Sequence, residues 1–121
     1  MAKSVSNDVL DAALNELATG NIMVACSAEP TNRAEAVTTY ALADVAMAGG
    51  DYTNADGDTN GRKCTVSAKS GVTVDATGTA THVAICDGST LLYVTTCTSQ
   101  ALTSGNTVDF PTWDVELADP T

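Results

Sequence analysis

The sequence predicts a mainly β protein, an antiparallel β-sandwich or Greek-key barrel of about seven or eight strands behind one N-terminal α-helix. Three observations carry this reading. After residue 20, turn residues recur roughly every eight to twelve positions, the spacing of short strands in sandwiches and barrels. Between the turns apolar and polar residues alternate, as where Cys64, Val66 and Ala68 are set against Lys63, Thr65, Ser67 and Lys69. Ahead of residue 20 the period is instead helical, with Val9, Leu10, Ala13, Leu14 and Leu17 forming one apolar stripe.

Each element follows in turn. Ser6 is a candidate N-cap, Asn7 and Asp8 put polar and acidic groups in the first turn, and Gly20 offers a stop, so residues 1–20 hold the helix. Ile22 to Cys26 reads as a strand that ends before Glu29-Pro30. Residues 31–36 read as a loop; the Ala content of Val37 to Met47 suits a helix but Val37-Thr38-Thr39-Tyr40 suits a strand, and strand is the reading taken. Gly49 to Gly61, dense in Gly, Asp and Asn, reads as a long loop. Strands are expected at Lys63–Lys69, around Val72 and Val74, and at Thr79–Cys86. The Asp87-Gly88 hairpin signal leads into Leu91–Thr98, then Thr107–Phe110, and the alternating run from Trp113 to Leu117 closes the fold. The whole chain, 1–121, is expected to be one domain, with the β part covering 21–121.

Composition narrows the function classes. Fifteen acids against five bases give a net charge of −10, which argues against nucleic acid and anionic membrane as partners. The only aromatics are Tyr40, Tyr52, Tyr93, Phe110 and Trp113, so the core is expected to be thin and built from small or β-branched side chains. No apolar run approaches a membrane span, and the first residues lack the apolar stretch of a signal peptide, which gives a cytoplasmic expectation. Cys26, Cys64, Cys86 and Cys97 show no CxxC pair, and reduced core thiols are expected. A disulfide is the alternative, with Cys86 and Cys97 flanking one hairpin as the candidate pair.

No catalytic constellation emerges. His82 is the only histidine and stands mid-strand with no nucleophile motif beside it. Gly49-Gly50 lacks the spacing of a phosphate-binding loop, and no cofactor is expected. Asp56-Gly57-Asp58-Thr59-Asn60-Gly61 matches the first half of an EF-hand loop, which makes Asp56, Asp58 and Asn60 weak metal-ligand candidates. Ser67 stands where the bidentate Glu of such a loop belongs, so a solvated turn is the favoured reading. Arg62 and Lys63 follow this acidic loop at once. They either anchor it by pairing with Asp56 or Asp58, or, with Lys69, meet carboxylates of another subunit and serve as interface candidates. Trp113 reads as a core anchor ahead of a ligand platform.

The runs DGDTNGRK (Asp56–Lys63), GTATHVAI (Gly78–Ile85), DGSTLLYVTTC (Asp87–Cys97) and NTVDFPTWDVELADPT (Asn106–Thr121) resemble small virion proteins encoded among the head and morphogenesis genes of tailed bacteriophages. The similarity extends over nearly the whole chain and brings no catalytic residue with it. It implies a non-enzymatic structural protein, a capsid decoration or cement protein that binds the major capsid protein as a homo-oligomer. Such a protein is assembled in the bacterial cytoplasm and resides in the virion. Another virion station, such as a head-fibre base, collar or tail component, and a calcium-dependent binding module are the alternatives.

Overall fold

The computed structural model describes residues 4–119. One helix, α1 (Asn7–Leu17), precedes nine strands: β1 (Ile22–Cys26), β2 (Ala41–Ala46), β3 (Tyr52–Asp56), β4 (Arg62–Val66), β5 (Lys69–Thr73), β6 (Gly78–Cys86), β7 (Leu91–Leu102), β8 (Thr107–Phe110) and β9 (Trp113–Leu117). They form three antiparallel sheets, a four-stranded one in the order β2-β1-β6-β7, a three-stranded one in the order β3-β4-β9, and the pair β5-β8. The protein is therefore mainly β with one N-terminal helix, and its nine strands are divided among three sheets in place of the seven or eight expected in one sandwich or barrel.

The caps and turns explain most boundaries. Ser6 Oγ accepts the Asp8 N–H at 3.1 Å, which satisfies one of the helix's orphan donors. The helix stops at Leu17, short of Gly20, and only Leu10, Leu14 and Leu17 of the expected stripe are buried. Val9 is 60 % exposed, because α1 lies on the sheets along a narrow seam and is not enclosed. Among the described residues no helix is long and apolar enough to cross a membrane.

Four segments depart from the sequence reading. The expected strand Lys63–Lys69 breaks at Ser67-Ala68, so β4 ends at Val66 and Lys69 opens β5, which pairs with β8. Residues 31–36 are not a plain loop, and Val37–Thr39 are not strand, because Glu35–Thr39 form a single π-helical turn. Reciprocal side-chain bonds start it: Asn32 Oδ1 accepts the Glu35 N–H at 2.9 Å, while Glu35 accepts the Thr31 N–H at 2.8 Å and the Thr31 hydroxyl at 2.6 Å. Burying Ala36 fully against β1 then outweighs the β preference of Val37-Thr38-Thr39. The expected Gly49–Gly61 loop contains β3, whose polar residues are held by the ladder to β4 while Tyr52 enters the core. Finally, β7 runs on past Thr98 to Leu102, carried across a bulge opposite Ala80 and His82.

All three sheets contribute to one core. Met23, Ala25, Leu42, Tyr52, Cys64, Val66, Ile85, Phe110 and Val115 are buried together with Leu14 and Leu17. A second cluster, Val24, Cys26, Ala36, Ala84 and Cys86, lies on the opposite face of β1 and β6 under the π-helical turn. Between helix and sheet, Gly20 leaves no room for a side chain. A methyl there would overlap Ile85 and come within 2.8 Å of the Tyr52 hydroxyl, which donates to the Gly20 carbonyl at 3.0 Å. Gly20→Ala is expected to lower unfolding stability by about 1–3 kcal/mol through overpacking, read as a reduced urea midpoint at unchanged slope.

Candidate functional site

The polar chemistry of the chain collects where α1 meets the β3-β4 hairpin. Arg62, the first residue of β4, points its guanidinium at two acids. Nε donates to Asp11 Oδ1 at 2.8 Å and Nη2 to Asp11 Oδ2 at 3.3 Å, a bidentate fork, and Nη1 donates to Asp56 Oδ1 at 2.7 Å. The side chains of Arg62 and Asp11 are 18 % and 26 % exposed, so this pair is better shielded than a surface ion pair. One residue on, Lys63 Nζ reaches Asp58 at 2.8 Å and Asp114 of β9 at 3.6 Å. Lys69 Nζ pairs with Asp51 at 3.0 Å. Each of the three bases considered for an interface thus has a carboxylate of its own chain within 3.0 Å.

The half EF-hand loop is a tight hairpin between β3 and β4. Its candidate ligand oxygens are engaged by protein donors: Asp56 by Arg62, Asp58 by Lys63, and the Asn60 side-chain oxygen by the Asp119 N–H at 2.9 Å. Glu116 of β9 accepts the Asp58 N–H in a short hydrogen bond. Gly61 adopts φ +73°, and a Cβ there would overlap the Leu117 carbonyl, so the turn is fixed by backbone crowding against β9. A cation here would have to displace Arg62 and Lys63 from their acids. Among the described residues no group of three or more His, Cys, Asp or Glu is placed to hold a metal.

His82 lies across from Cys26 on β1 and Thr96 on β7, and its Nδ1 shares a 2.8 Å hydrogen bond with Thr81 Oγ1. The thiols are free: Cys26, Cys64 and Cys86 are buried and Cys97 is half-buried. Burial pushes Cys26 up to about 12, with the Cys86 and Cys97 sulfurs adding to the shift, and raises Cys64, Cys86 and Cys97 in the same way. Such thiols are poor nucleophiles at neutral pH. Cys86 and Cys97 are not cross-strand neighbours, because Cys86 lies opposite Leu91. Six further residues of β7 place Cys97 roughly 20 Å along the strand from that point, well beyond disulfide reach.

A concave region absent from the sequence reading opens on the other side of Asp114, between sheets. A groove of about 410 Å³ runs between β7 and the β8-β9 connection, lined by Val83, Thr95, Cys97, Phe110, Trp113 and Asp114 among others. A second hollow of about 210 Å³ adjoins it and shares Val83, Cys97, Thr98, Phe110 and Pro111. Trp113 is half-buried and stacks on Tyr93 with ring centroids 5.9 Å apart and planes at 28°, so it both anchors β9 to β7 and forms one wall of the groove. Sequence alone carries no signal for this groove, because it depends on β7 and β9 ending different sheets.

Two predictions follow from this geometry. Asp51 is held below the ordinary 3.8 first by the Ala48 N–H and then by Lys69. The Ser89 and Thr90 N–H groups hold Asp87 down, and Thr31 lowers Glu35 from 4.5. These carboxylates stabilise the fold above their unfolded values and lose that contribution as pH falls through the lower folded ones. Asp44 has the opposite sign, raised by burial and by Asp75, so its protonation offsets part of the loss. The thermal midpoint should therefore fall below about pH 4, and the fall should be smaller in Asp51→Asn. In the native protein at neutral pH, iodoacetamide should label Cys97 ahead of the other three thiols. All four should be modified once the chain is unfolded without reductant, as read by mass spectrometry. Compared with models of protein families, with curated proteins and with solved structures, the chain matches none of them.

Proposed function

We propose that this chain is a non-enzymatic structural subunit of a tailed-phage virion, a capsid decoration or cement protein that binds the major capsid protein and stabilises the head shell. The fold reading that goes with it is a sandwich, in which the four-stranded sheet faces the three-stranded one across the core shared by Met23, Ile85, Cys64, Val66 and Val115. The resemblance of the four quoted segments to small virion proteins supports the assignment. The observation that carries it is where the reactive side chains go. Arg62, Lys63 and Lys69 hold the chain's own acids, His82 bonds Thr81, and the thiols are raised by burial. That is the use a scaffold makes of such groups.

A thin core of small side chains also suits a subunit that works bound to neighbours, since a partner that binds only the native state stabilises it by mass action. Assembly in the host cytoplasm agrees with free thiols. Cryo-microscopy and quantitative mass spectrometry of purified particles test the reading. Many copies on the head surface are expected, whereas density at a collar or tail would move the protein to another virion station. Complete absence from particles would overturn the structural assignment.

A further inference from the structure

The strands that end a sheet differ sharply in how their edges are guarded. Acids sit on β9 at Asp114 and Glu116 and on β8 at Asp109, while β3 is only five residues long and ends in Asp56. Chain segments cover β2, where Ala43 bridges to Val74 and the Leu42 carbonyl accepts the N–H groups of Asp75 and Ala76 at 2.7 and 3.1 Å. Lys69 stands at the start of β5, which leads at its other end into that same bridge. Among the described residues no chain segment pairs with the outer edge of β7 and no charge sits on the strand, the nearest acid being Asp114 across the groove. β7 is the longest strand, twelve residues, and among the described residues β6 is its only partner. From Gly88 through Val108 the chain has no Asp, Glu, Lys, Arg or His, the longest such stretch in a molecule of net charge −10.

Long, uncharged and unpaired edges are templates for pairing with another strand, and proteins ordinarily block them with charge, proline or cover. We propose that β7 is a self-association surface, on which β7 of a second copy pairs antiparallel across a two-fold axis and joins the two four-stranded sheets. Charge selects the occupant. Two copies at −10 each repel over any face that carries the acid excess, and the neutral β7 strand brings no carboxylate of its own to the pairing, the nearby Asp114 being partly offset by Lys63. A strand paired antiparallel with its own copy is self-complementary, as a two-fold interface requires.

Centred on Thr96, the pairing sets Thr96 against its own copy, Leu91 against Ala101, Leu92 against Gln100, Tyr93 against Ser99 and Val94 against Thr98. The half-buried apolar residues at one end of the strand thereby face the smaller or amide side chains at the other. The pairing itself is argued from the edge, and that it builds a multi-copy virion subunit rests on the function proposed above.

Light scattering coupled to size-exclusion chromatography of the full chain is the test, with two charge variants at the exposed centre of β7. These are Thr96→Glu with Thr98→Glu, and Thr96→Lys with Thr98→Lys, each checked for native circular dichroism. The wild type is expected to be dimeric. Each variant alone should bind itself on the order of a hundredfold more weakly. An equimolar mixture of the two should form dimers again.

A monomeric wild type overturns the pairing, as does a Glu variant that dimerises as tightly as wild type or a mixture that stays monomeric. Occupancy on purified heads is measured separately. Absence from heads overturns the decoration reading and leaves the dimer result standing, whereas a wild-type monomer that decorates heads overturns the pairing alone.

Discussion

Strand β1 lies in the middle of the molecule with both faces covered, and its double burial sets what the neighbouring segments must do. Met23, Val24 and Cys26 have no accessible surface and Ala25 has almost none. A strand with one wet face needs a single layer over it, but this one needs two. On one side the demand is met by β3, β4, β9, the β5-β8 pair and α1, which together close the main core. On the other side the chain between β1 and β2 has to return across the strand, and it does so as the π-helical turn that seats Ala36 on Val24 and Cys26. At roughly 1.5–3 kcal/mol for each fully buried large aliphatic side chain, this is the main favourable term in so aromatic-poor a core.

The second organising term is the shortage of positive charge. With five bases for fifteen acids, each described lysine and most of the arginine chemistry serves to fasten elements together. Arg62 ties the helix to the hairpin through Asp11 and Asp56, Lys63 ties the hairpin to β9 through Asp58 and Asp114, and Lys69 holds the entry to β3 through Asp51. Arg33 donates Nε to the Asp87 carbonyl at 2.7 Å, fixing the segment after β1 to the turn between β6 and β7. Most of the acids left over are exposed, and Glu35, Asp87 and Asp109 accept backbone N–H groups. Their mutual repulsion is a cost that salt screens, while the Asp11–Arg62 fork, being shielded, depends on salt much less.

What could be read from the sequence was whatever its local pattern determines. The Ser6 cap, the alternation through β4, the Asp87-Gly88 turn and the short closing strands all rest on a few adjacent residues, and the structure has them. The pairing of Arg62 and Lys63 with Asp56 and Asp58 was legible as one of two readings for the same reason. The misses have non-local causes. β3 was hidden because Thr53-Asn54-Ala55-Asp56 has turn composition and becomes strand only through β4. Residues 37–39 have strand composition and become helical only because β1 needs a cover. The Asn32-to-Glu35 spacing was a readable capping signal that the β-branched run after it obscured.

The division into three sheets was beyond any local pattern, since whether two strands share hydrogen bonds depends on how the chain between them closes. The consequence is unequal. Where closure brings β2 to Val74 and sets carboxylates along β9, the sheet ends are sealed by cover or by charge. Where β7 and β9 meet, the contact is made by side chains, Tyr93 on Trp113, and the backbones stay apart with the groove between them. The stacked aromatics thus hold the sheets together at that seam without pairing their edges, and β7 keeps a row of backbone donors and acceptors facing outward. A fold that tethers nearly all of its cations internally and leaves its longest strand neutral and paired on one side alone has concentrated its capacity for association in backbone hydrogen bonds along one edge.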